Sequence, residues 1–110
     1  MKLQGCFIYT LFLLLVACAD PLPPERMNYV GEWQGLGVSL LIMADGSVSY
    51  ERHSKGAKTE INAPLQEFDG NNFIVGLSFF NTTFEVSKPP HQDDGIWRMT
   101  VDGVELTRVR

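Results

Sequence analysis

Four Asp-Gly dipeptides punctuate the chain after residue 40: Asp45-Gly46, Asp69-Gly70, Asp94-Gly95 and Asp102-Gly103. Both residue types tolerate positive φ, so an Asp-Gly pair between apolar runs is a strong local signal for a β-hairpin. The runs between these turns are short and alternate in polarity. Val48 and Tyr50 oppose Ser49 and Glu51, and Trp97, Met99 and Val101 oppose Ile96, Arg98 and Thr100. A period of two residues places each set on its own face of a sheet. Residues 63–68 are the best helical stretch, at one turn at most.

The spacing predicts strands over residues 28–34, 37–43, 47–53, 58–63, 72–80, 82–87, 96–101 and 104–109. Pro64 stops the weakest of them, and residues 65–68 resume pairing after a bend. Sequential strands joined by tight turns make an antiparallel up-and-down meander. Closing such a sheet on itself removes its exposed edges. The expected fold is all-β: a small antiparallel barrel of seven to eight strands over residues 27–110. Phe73, Phe79, Phe84, Trp97 and Tyr50 would largely fill an interior of that size, which leaves room for one small ligand at most.

The N-terminal segment has a different texture. Met1-Lys2 is a short positive start, and residues 7–16 are nearly unbroken in apolarity. That run is too short to cross ~30 Å of hydrocarbon as a permanent helix, but it suits the apolar region of an export signal. It ends in Leu15-Val16-Ala17-Cys18, which resembles the lipobox of bacterial lipoproteins. The resemblance implies that residues 1–17 are removed, that Cys18 gains a diacylglyceryl thioether, and that its new N-terminus is acylated. Cys6 would leave with the signal, and lipidation would account for the odd cysteine that remains. Acyl chains anchor at ~0.8 kcal/mol per buried methylene, so the membrane would be held without a spanning helix. In the same family an Asp after the cysteine marks inner-membrane retention. Ala19 stands there, which favours the outer membrane, while Asp20 follows one place later.

Removing residues 1–17 from 110 leaves 93, enough for one small domain. Those residues carry eight Lys/Arg against thirteen Asp/Glu, a net charge of −5. Without a basic patch, nucleic acid is excluded as a partner. Residues 18–26 comprise the lipidated cysteine and a stretch with three prolines, read as an extended tether of ~25 Å at ~3.1 Å per residue.

Gly31-Glu32-Trp33 in the first strand and Leu106-Thr107-Arg108 in the last are similar to the signature of the lipocalin and fatty-acid-binding superfamily. The resemblance implies that Trp33 plugs one end of the barrel and that Arg108 lies over it, with Arg110 as the fallback. A guanidinium on an indole gains cation–π attraction. Size places the chain nearer the small lipocalin-like lipoproteins that inhibit periplasmic-type proteases and the small barrel lipoproteins that inhibit lysozyme than full-length lipocalins.

The remaining residues offer little chemistry. His91 with Asp93 and Asp94 is a partial set for a metal that wants three or four ligands, so no metal is expected. No nucleophile elbow, phosphate-cradling loop or catalytic triad spacing is present, and neither catalytic residues nor a cofactor is expected. Lys88, Pro89, Pro90 and His91 read as a stiff loop, a candidate contact surface that would lose little entropy on binding. Phe79-Phe80 puts aromatic rings on both faces of one strand, so either both faces are covered or one ring is exposed for docking. The expected function is a membrane-anchored, non-enzymatic binding module for an envelope protein, with an inhibitor-like role as one form of it; the alternative is a carrier of a small apolar ligand inside the barrel.

Overall fold

The computed structural model describes residues 20–110; the expected signal segment and Cys18 lie outside them. A 3-10 turn, Pro24–Tyr29, leads into nine strands: β1 (Gly31–Gly35), β2 (Val38–Ile42), β3 (Ser47–Ser54), β4 (Ala57–Asp69), β5 (Asn72–Leu77), β6 (Phe80–Phe84), β7 (Val86–Asp93), β8 (Ile96–Val101) and β9 (Val104–Arg108). Every ladder is antiparallel, in the order β6-β5-β4-β3-β2-β1-β9-β8-β7. The fold is therefore an all-β up-and-down meander curled into a half-barrel. Its two outermost strands, β6 and β7, are consecutive in sequence with only Glu85 between them. The chain joins them at that point, where the Val86 N–H donates to Asn72 Oδ1 at 2.8 Å.

All four Asp-Gly pairs fall at hairpin turns, between β2 and β3, β4 and β5, β7 and β8, and β8 and β9, with Asp69 the last residue of β4. At the last two, both residues have positive φ (58° and 80° for Asp94-Gly95, 48° and 81° for Asp102-Gly103). This mirror-image turn matches the right-handed twist of the flanking strands. In the Asp45 turn the carboxylate accepts the Ser47 N–H at 2.9 Å, which lowers its pKa.

Alternation produces the core as it should. Val38, Leu40 and Ile42 on β2, Val48 and Tyr50 on β3, Phe73 and Val75 on β5, Met99 and Val101 on β8, and Leu106 on β9 all point inward. They form one cluster with Trp33, Tyr29 and Phe84. Phe73 stacks on Phe84 at 5.1 Å between ring centres, and Tyr50 meets the edge of Phe84 at 4.8 Å. Each fully buried large side chain of this kind contributes about 1.5–3 kcal/mol relative to exposure.

Several expectations are corrected. The described residues form nine strands rather than seven or eight. Pro64 does not end a strand: β4 runs through it, pairing with β3 up to Pro64 and with β5 from Leu65 onward. The proline's missing N–H is tolerated where the strand changes partners, beside an irregularity between Leu65 and Glu67. Residues 65–68 do resume pairing beyond it, as expected, with β5 as the partner. Residues 72–80 are not one strand, because the chain reverses at Ser78-Phe79 and places Phe79 outside the core. Residues 88–91 are not a loop but part of β7, an edge strand with register shifts on either side of Lys88. Prolines fit there because an edge strand leaves N–H positions unused.

The proline-rich stretch is also more than a spacer. Leu22 is buried in the core cluster and its N–H donates to Ala44 O at 3.1 Å. Arg26 stacks on Phe68 at 4.4 Å and donates to Gly70 O at 2.9 Å. From Asp20 onward this segment lies on the sheet, because Leu22 and Tyr29 supply apolar surface that the half-barrel lacks at that end.

Candidate interaction surface

Trp33 is fully buried and pairs directly with Arg108 across the β1–β9 ladder. The Arg108 guanidinium lies 5.7 Å from the Trp33 ring centre and 4.9 Å from that of Trp97. It also donates to Val30 O at 3.2 Å, while Trp33 Nε1 donates to Tyr29 O at 3.0 Å. The last residue of the 3-10 turn and the one after it thus cap this row through their backbone carbonyls. Gly31 makes the space: with φ of 146°, a Cβ added there would lie 2.5 Å from Arg108 Cδ and 2.8 Å from Arg110 O. Arg110 lies outside this arrangement and donates to Glu32 Oε1 at 3.0 Å. Trp33 is closed off at the inner end of the row, while Trp97 and Arg108 are half-buried.

Lys88, Pro89 and His91 lie exposed on β7, with Pro90 turned inward. His91 Nδ1 is 2.9 Å from Pro89 O. Among the described residues no three His, Cys, Asp or Glu side chains are placed to hold a metal ion. Likewise, no helix among them is long and apolar enough to cross a membrane.

The rim formed by the β1–β2 turn, the β3–β4 hairpin and the β8–β9 turn has a different character. Leu36 stands between two glycines at the β1–β2 turn and is 95% exposed. Gly37 (φ 72°) lets this turn lie against β3, where the His53 N–H donates to Gly37 O at 2.8 Å. Leu36, Arg52, His53, Ser54, Val104 and Glu105 border a shallow depression of about 680 Å³. The neighbouring β3–β4 hairpin is polar on both faces beyond Tyr50. Glu51 accepts from His53 at 2.9 Å and lies 3.6 Å from Lys58, and those contacts hold its carboxyl below the usual range. Exposed pairs of this kind contribute little stability, but they fix the pattern of charge around Leu36. An apolar side chain ringed by ordered polar groups can serve as an anchor with a polar surround.

Comparison with protein-family models, with curated proteins and with solved structures gives no match for this chain.

The sequence does not by itself single out Leu36, nor give Trp97 and Gly31 the roles they have here. Leu36 carried a signal, a large aliphatic residue between glycines where a turn prefers polar types. Trp97 was placed on a strand face, but its approach to Arg108 depends on the β8–β9 register. The space that Gly31 provides becomes visible only once β9 lies against it.

Proposed function

We propose that the chain is a membrane-anchored bacterial lipoprotein of the outer membrane whose β domain is a non-enzymatic binding module for an envelope protein. The lipobox-like Leu15-Val16-Ala17-Cys18 supports the anchor, and the Gly31-x-Trp33 resemblance supports a lipocalin-like domain. The observation that carries the binding role is the contrast between a filled interior and exposed turns. Phe73, Val75, Trp33 and Leu40 are fully buried against one another, whereas Leu36 projects from the rim. A carrier needs an open, apolar-lined cavity. With the interior occupied by side chains, recognition falls to the surface, and Leu36 with its polar surround is the anchor.

The experiment is to place a photo-crosslinking residue at position 36 in the native host and irradiate intact cells. One discrete envelope-protein adduct that is lost when the probe moves to exposed Glu60 is the expected result. A retained lipid-like mass on the purified protein, with no protein adduct at position 36, would replace this reading with the carrier. Labelling with an alkyne fatty acid, lost in Cys18→Ser, checks the anchor separately.

A further inference from the structure

The β5–β6 hairpin is unusual in two respects. Residues 70–84 contain no charged side chain, in a chain where charged residues make up 20% of the total. Its tip also exposes large apolar groups: Phe79 at 88%, with Phe80 at 45% and Leu77 at 40% beside it. Exposing a phenylalanine at a tight turn has no packing reason, since the core beneath is filled by Phe73, Val75 and Phe84. Single exposed apolar residues are ordinary, but three at one uncharged tip form a patch.

The position of this tip indicates what it meets. Asp20 packs against Gly46, where its carbonyl occupies the space a side chain would need. Gly46 O accepts the Leu65 N–H at 2.8 Å, and the next residue, Gln66, donates to Gly76 O at 2.7 Å. Gly76 in turn lies against Phe80. An unbroken series of contacts therefore runs from the first docked residue of the chain to the hairpin tip. Met43, 47% exposed, belongs to the same end through its hydrogen bonds in the β2–β3 turn.

Cys18 is two residues before Asp20, a reach of at most ~7 Å. If Cys18 carries acyl chains, as the lipoprotein reading holds, this end of the half-barrel cannot rise far above the headgroups, because the proline-rich stretch is spent on packing against the sheet. We propose that the β5–β6 tip, through Leu77, Phe79 and Phe80, inserts into the bilayer interface beside the acyl anchor and sets the orientation of the domain. Phe and Leu side chains bury apolar area at the headgroup–acyl boundary, and an uncharged hairpin enters it without repulsion between the chain's acidic surplus and anionic headgroups. The Leu36 rim then faces away from the membrane. Along β3 it is separated from the lipid-facing turn by the length of the strand, seven steps or ~23 Å.

The proposal rests on the lipoprotein reading, and its test separates the two. The lipidated protein is reconstituted into phosphatidylethanolamine–phosphatidylglycerol vesicles, with a polarity-sensitive fluorophore on Ser78→Cys or, at the opposite end, Lys55→Cys. Flotation with the vesicles reports the anchor; emission and quenching by bromolipids report insertion. Expected are a blue-shifted emission and several-fold stronger quenching at position 78 than at position 55, both reversed by Phe79→Asp in the Ser78→Cys protein. Flotation with equal, water-like emission at both positions overturns the hairpin proposal and leaves the anchor standing. Failure to float overturns both.

Discussion

Trp33 and Arg108 are direct cross-strand partners, and the same guanidinium also lies over Trp97, so one cation bridges the indoles of β1 and β8 across β9. The register of two ladders is expressed in that single side chain, since a slip of one residue in either would turn Arg108 outward.

Replacing Arg108 should therefore cost stability beyond its charge. Arg108→Met removes the cation–π contacts and the bond to Val30 O, an expected loss of about 1–3 kcal/mol in urea denaturation. Arg108→Lys should recover only part of it, because an ammonium lacks the flat face that stacks between rings. Equal stability of all three proteins would show that the row is incidental.

Gly31→Ala should be more damaging than Gly95→Ala. Both positions have positive φ, but a Cβ at Gly95 meets nothing within 4 Å whereas one at Gly31 meets Arg108 and Arg110. The expected cost at Gly95 is about 1 kcal/mol from backbone strain alone. At Gly31 it should be at least twice that, and Arg108→Ala in the same chain should relieve part of it. A double-mutant cycle measures that coupling.

Leu22→Ala should lower stability by about 2–4 kcal/mol, the range for truncating a buried leucine. A free spacer would give no change, so thermal melting distinguishes a docked N-terminal segment from a tether.

Tyr29 predicts alkaline sensitivity. Burial pushes its phenol pKa up, partly countered by the nearby charge of Arg26. A folded-state pKa raised above the unfolded value near 10 means full stability below that pH. The stability then declines as pH rises through the folded value, because the unfolded chain releases the proton more readily. Tyr29→Phe should abolish the decline while costing about 1 kcal/mol at neutral pH through the lost bond to Asn71 O. Denaturation curves between neutral pH and pH 11 would show an unchanged alkaline slope if Tyr29 were not its source.

The residues by themselves determined the local grammar of this protein. Asp-Gly chemistry is read within two positions, and all four pairs became turns; β8 spans residues 96–101 as its alternation predicts. Class and meander followed, because short alternating runs joined by tight turns leave little else to build. Tertiary structure alone decided what those runs pair with. Residues 72–80 alternate without a turn signal, and only the pairing of Leu77 with Phe80 reverses the chain there and expels Phe79. Pro64 and Pro89-Pro90 look like strand breakers locally, yet each lies where no ladder needs its N–H. The proline-rich stretch reads as a spacer until a sheet with an uncovered end gives Leu22 and Tyr29 somewhere to bury. Local turns depend on φ preferences of adjacent residues; partner, edge and cover depend on surfaces brought together from far along the chain.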